Sequence, residues 1–112
     1  MPANKALDIV LKRIFNMELS SLLTPRRDRH LVLPRQLVQF LLRLSGYSNR
    51  RAGEVVNRDH ATCTYSFGQI INIINTKYPR HDYNRIIQSI TAYSSLTDCD
   101  LSALPRDWKN SK

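Results

Sequence analysis

The segment that most constrains this chain is residues 34–44, PRQLVQFLLRL. Leu37, Val38, Phe40, Leu41, Leu42 and Leu44 recur too densely for a single stripe, so the segment reads as a helix apolar on more than one face. Such a helix has to run through the middle of a fold, with neighbours on most sides. Pro34 suits its first turn, where a missing N–H costs nothing, and Gly46 suits its C-terminal cap. A chain of 112 residues, 42% of them hydrophobic, can supply those neighbours from one small folded domain.

The neighbours are helical as well. Leu7, Val10, Leu11 and Ile14 recur at helical spacing and place a first helix over about residues 4–15. ELSSLLTP reads as a short second helix that Pro25 stops. TPRRDRH carries Arg26, Arg27 and Arg29 with no apolar residue, which predicts an exposed basic loop before the central helix. Ser48 is an N-cap candidate for a short helix through NRRAGEVV. Asn57 is the next N-cap candidate, opening a long helix from Arg58 to about Asn75. Pro79 breaks the pattern, and Asp82 can cap a last helix with Ile86, Ile87 and Ile90 as its apolar face. From Ser94 the chain turns polar and should fray, although Trp108 could dock onto the body. With just three glycines and little strand-like alternation, the expected fold is all-α with about six helices. It comprises a folded unit over residues 4–94 and a polar tail over 95–112.

Charge narrows the partner. Seventeen Lys and Arg against nine Asp and Glu give a net charge of +8, which favours a polyanion. Residues 24–60 hold eight arginines against three acidic side chains, so most of the excess lies on one stretch. The two cysteines, Cys63 and Cys99, form neither a CxxC pair nor a disulfide framework. Lys5, Asp8, Lys12 and Arg13 interrupt any leader-like apolar run, and no segment approaches the ~18 apolar residues of a membrane span. A reducing, cytoplasmic setting is expected, with no membrane partner.

The short helix, the turn and the long helix together predict a helix-turn-helix. At about 100° per residue, Cys63, Phe67, Ile70 and Ile74 share one stripe of the long helix, with Ile71 at its edge. Arg58, Ala61, Thr62, Tyr65 and Gln69 fall opposite, while Asp59 and His60 lie toward the flanks of the stripe in the first turn. A helix N-terminus attracts phosphate, and the major groove presents donors and acceptors that Asp, His and Thr can address. Other chemistry fits less well. His60 and Cys63 lie three residues apart, yet Cys63 falls on the apolar stripe, where a thiol is inert. His30, His60, Cys63 and His81 have no zinc-ligand spacing. Tyr65 and Tyr78 lack the sheet platform that single-strand stackers use. No GxxxxGK[ST] motif is present, so neither nucleotide nor cofactor is expected, and no enzymatic activity.

RRDRHLVLPRQLVQFLLRL followed by AGEVVNRDHATC resembles the C-terminal DNA-binding domain of the bacterial replication initiator DnaA, over roughly residues 5–94. RDHATC is the most specific part of the likeness. The resemblance implies a Trp-repressor-like, all-helical fold that binds double-stranded DNA boxes. Its helix-turn-helix would enter the major groove, and an arginine of the basic loop the adjacent minor groove. Matched by position, Arg27 is that arginine, with Arg26 and Arg29 beside it in the loop. Arg35 and Gln36 match the positions after the proline that help to engage DNA. Arg43 matches a basic position facing phosphate. Arg58, Asp59, His60, Ala61 and Thr62 match the recognition segment. The chain also departs from the pattern. Ala61 stands where many members have Thr or Ser, and Arg50 stands where some have a proline that touches a thymine methyl. VVNRDH is one residue shorter than the frequent FGGRDH, and Gln69 stands near a position often held by lysine. The implied setting is the nucleoid, as a protein that stands alone without the initiator's ATPase domain. A protein-interaction module or a general polyanion binder on the same scaffold is the alternative.

Overall fold

The computed structural model describes residues 1–25, 28–58 and 60–98, and of His60 only the backbone. Five α-helices make the body: α1 (Ala3–Val10), α2 (Arg29–Leu44), α3 (Asn49–Val55), α4 (His60–Thr76) and α5 (Arg80–Thr97). No strand occurs among the described residues. The expected second helix is a single 3₁₀ segment, Leu19–Leu23. It is tied to α1 where the Leu19 N–H donates to Asp8 Oδ1 at 2.7 Å. The expected first helix over residues 4–15 is α1 continued by a wider π-type turn, Leu11–Phe15. Asn16, in the left-handed region, ends it.

α2 is the axis of the fold. Leu37, Val38, Phe40, Leu41, Leu42 and Leu44 are all buried, as the dense pattern requires. Each buried side chain of this size contributes roughly 1.5–3 kcal/mol. The helix packs against α3, α4 and α5. It starts earlier than Pro34, however: Arg29, His30 and Leu31 already belong to its first turn, and Pro34 lies inside. Leu31 is buried at 4% exposure, so extending the helix backwards gains core contact that offsets the one intrahelical hydrogen bond Pro34 cannot make. The basic loop is shorter for the same reason, ending at Asp28.

At the other end of α2, Gly46 adopts φ +93°. The Gly46 N–H donates to Arg43 O at 3.1 Å and the Tyr47 N–H to Leu42 O at 3.0 Å. This is a Schellman cap with glycine at its left-handed position, as its place in the sequence predicts. Ser48 caps α3 by accepting the Arg51 N–H at 3.2 Å.

α4 packs on α2, α3 and α5 with Cys63, Ile70 and Ile74 fully buried, and the ring of Phe67 sits 4.9 Å from that of Phe40 on α2. α5 closes the body against α1 and α4 with Ile86, Ile90 and Tyr93. The Tyr93 hydroxyl bonds the Ser45 hydroxyl, fastening α5 to the end of α2. Asp82 does not cap α5. The helix begins at Arg80, and Asp82 pairs instead with Arg85 at 3.1 Å within the first turns. Fraying was expected from Ser94, yet α5 continues to Thr97, with Leu96 packed against the core. Trp108 lies outside the described residues.

Candidate nucleic-acid interface

The turn between α3 and α4 is built by a second Schellman cap. The Asn57 N–H donates to Glu54 O at 3.1 Å, and the Arg58 N–H donates to Gly53 O at 2.7 Å. Asn57 adopts φ +57°, and Val56 is fully buried beneath the turn. Asn57 therefore ends α3 and does not cap α4, and α4 begins at His60 rather than at Arg58. Asparagine serves both positions well, as an N-cap and as a left-handed C-terminal residue. The burial of Val56 and the bond from the Arg58 N–H to Gly53 O decide between them.

Beyond the turn, α4 presents Ala61, Thr62 and Tyr65 to solvent, with Tyr65 62% exposed. Its opposite face enters the core along the expected stripe. Ser66 is buried as well, at 1% exposure, on a helix side left unassigned by the apolar pattern. Asn49, the first residue of α3, bonds the Thr64 hydroxyl at 3.0 Å, bracing the two helices of the motif.

The basic loop leaves the 3₁₀ segment at Thr24, and this shoulder is anchored from two sides. Arg35, only 7% exposed, donates through Nε to Leu22 O at 3.0 Å and through Nη2 to Thr24 O. Arg58 donates through Nη2 to the same Thr24 carbonyl at 3.4 Å and through Nη1 to Asn57 O at 3.0 Å. The start of the loop thus adjoins the turn of the helix-turn-helix. Burial lowers the pKa of the Arg35 guanidinium and Arg58 pushes it the same way, while Asp28 raises it. Arginine remains a cation in spite of such shifts.

The other predicted residues are distributed unevenly. Gln36 is half-buried and borders a groove of about 320 Å³ between α2 and α4, shared with Val32, Gln39, Arg58, Thr62 and Tyr65. Arg29 is exposed on the first turn of α2. Arg50 is 85% exposed and reaches Glu54 at 3.7 Å, an exposed pair of little energetic weight. Arg43 is half-buried; Nη1 donates to Tyr47 O at 3.0 Å, and the guanidinium lies 5.7 Å from the centre of the Phe67 ring. Arg26, Arg27, Asp59 and the His60 side chain lie outside the described residues.

Two features escaped the sequence reading. Tyr65, whose place on the face of Thr62 the helical spacing gave, was not read as a site residue, yet it lines the groove. The inward turn of Arg35 also had a signal: Leu31, Val38 and Leu42 lie at i−4, i+3 and i+7 from it, and all three are buried. Cys63 is fully buried, and burial raises its thiol pKa against a smaller opposing pull from Arg43, so it is no nucleophile. No cluster of three potential metal ligands occurs among the described residues.

The model of the bacterial DnaA protein helix-turn-helix family matches residues 5–70. The chain belongs to this family. The match runs from α1 through α3 and into α4 as far as Ile70, taking in the loop, both Schellman caps and the exposed face of α4. The DnaA C-terminal domain is a non-catalytic helix-turn-helix domain that binds double-stranded DNA, and membership supports DNA binding by this chain. No curated protein and no solved structure matches the chain. No described helix is long and apolar enough to cross a membrane.

Proposed function

We propose that this DnaA-type domain reads duplex DNA sequence-selectively with two elements, the N-terminal turns of α4 in the major groove and Arg27 of the basic loop in the adjacent minor groove. One observation carries the reading. The Thr24 carbonyl accepts from Arg58 at 3.4 Å, which sets the root of the arginine loop beside the turn that delivers α4. Thr62 and Tyr65 of α4 line one groove with Arg35 and Arg58, the two arginines that hold Thr24 O at the loop's origin.

In this reading, Asp59 accepts from a cytosine amino group and His60 meets a base edge. Ala61 packs its methyl against a thymine methyl, and Thr62 bonds a phosphate. Arg26, Arg29, Gln36, Arg43, Arg50 and Arg58 neutralise or orient the backbone and supply affinity. The unit acting on DNA is residues 4–94, and the role is replication control at the nucleoid, either at initiator boxes or in competition for them.

Selection from a random duplex library tests the reading. An enriched motif is expected. Salt-sensitive binding without a motif would leave a general polyanion binder. Arg27→Ala and His60→Ala should each weaken binding to the selected duplex by about 1–3 kcal/mol while changing non-specific binding far less.

A further inference from the structure

Arginine 35 stands in a basic stretch, at a position where contact with DNA would be assumed, yet its geometry assigns it other work. We propose that Arg35 is a positioning residue, acting on DNA through the basic loop by fixing the direction in which that loop leaves the body. The inference rests on the duplex-reading proposal above and adds to it a device that aims one of the two elements.

Arg35 is only 7% exposed, and its guanidinium donates to two main-chain carbonyls, Leu22 O and Thr24 O. These carbonyls end the 3₁₀ segment Leu19–Leu23, where a helix terminus leaves acceptors without helical donors. A planar fork can satisfy two such acceptors at once, which a lysine ammonium on a flexible stem cannot do with the same geometry. The next residue is Pro25, with φ fixed by its ring, and Thr24 has the extended φ −64°, ψ 144° that a residue before proline prefers. Holding the Thr24 carbonyl therefore holds the first two residues of the loop. Arg58 reaches the same carbonyl from the α3–α4 turn. The loop's exit is thereby referenced both to the central helix and to the start of α4.

The test compares Arg35→Lys and Arg35→Met, each alone and combined with Arg27→Ala, in binding to the selected duplex across a salt series. Thermal unfolding checks that every variant is folded at the assay temperature. If Arg35 positions the loop, Lys and Met lose affinity alike, by about tenfold, because neither carries the fork. In the Arg27→Ala background the same substitutions should cost less than about twofold, since the loop then has nothing left to place. A phosphate contact behaves otherwise: Lys rescues binding, Met flattens the salt slope by about one, and the losses add. Either rescue by Lys or additivity overturns the proposal.

Trypsin nicking of the loop at Arg26 and Arg27 supplies a DNA-free arm. Arg35→Met should accelerate it at least about fivefold without a matching rise in nicking elsewhere, and an unchanged rate overturns the proposal. Should an Arg35 variant fail to fold, Arg58→Met weakens the same clasp from outside the core and should accelerate loop nicking in the same direction. If the wild-type chain selects no duplex, the DNA reading falls while the nicking arm still decides whether Arg35 holds the loop.

Discussion

Gln39 should be replaceable by Met with a gain in stability. The side chain is 1% exposed, and neither its amide oxygen nor its amide nitrogen has a hydrogen-bond partner among the described residues. A buried polar group without a partner costs about 1–3 kcal/mol. The two atoms belong to one amide, so about 2 kcal/mol is the reasonable sum. Met has nearly the same length and volume and adapts to irregular surroundings, so little is lost in packing. The expected net gain is about 1–2 kcal/mol, which for a domain of this size raises Tm by roughly 5–10 °C. Urea unfolding should show a higher midpoint with an unchanged slope, the mark of altered stability rather than altered compactness. Ser89 is the control: it is equally buried, but its hydroxyl donates to Arg85 O at 2.7 Å. Ser89→Ala should therefore lose about 0.5–1.5 kcal/mol. Equal or lower stability of Gln39→Met would refute the reasoning and mean that the amide is satisfied across the α2–α4 groove it borders. Duplex affinity measured alongside separates that groove's role in binding from its role in folding.

Other expectations follow from single features. Asn57→Val should destabilise the protein by about 1–2 kcal/mol, because a β-branched residue resists φ +57°, whereas Asn57→Gly should be neutral or slightly stabilising; chemical denaturation compares them. In a Cys99→Ser background, Cys63 should resist a thiol reagent at pH 8 until the protein unfolds, since it is buried and its thiol pKa is raised. Rapid modification of the native protein would contradict the packing of α4 on α2. Arg43→Ala should lose about 1–2 kcal/mol of stability with its bond to Tyr47 O and its packing on Phe67. If Arg43 also meets phosphate, the salt slope of binding falls by about one, and an unchanged slope removes it from the DNA face.

What the sequence revealed of this fold is what depends on neighbours along the chain. The stripe of α4 was legible because Cys63, Phe67, Ile70 and Ile74 repeat over nearly the whole helix and leave one solution for its buried face. Gly46 was legible because a glycine just past a long apolar helix has one common use. The start of α2 was not, because Pro34 carries a strong local signal while the advantage of extending the helix lies in Leu31 reaching a distant core. Asn57 was ambiguous for a chemical reason, its side chain being suited to either end of a helix. The same division holds for the candidate site. The exposure of Ala61 and Thr62 follows from periodicity. The inward fork of Arg35 depends on carbonyls 11 and 13 residues away, and the reach of Arg58 on one 34 residues away. No local pattern encodes such distances, and charge alone describes every arginine of the stretch identically.

Arg58 shows why those long-range ties bear on function. Its backbone N–H closes the cap that ends α3, at 2.7 Å from Gly53 O, so it helps to set the angle at which α4 departs. Its side chain reaches the carbonyl from which the basic loop departs. One residue therefore refers both proposed reading elements to the same short turn. Two elements held by separate, distant anchors would drift relative to each other with every flexing of the body, and each would have to be reordered on binding at an entropic cost. On the proposed reading, elements referred to one turn would move together, which would lower the cost of ordering them when they engage adjacent grooves. If the domain does read two grooves as proposed, its affinity would depend less on how many arginines it carries than on the few that are turned inward to meet main-chain carbonyls.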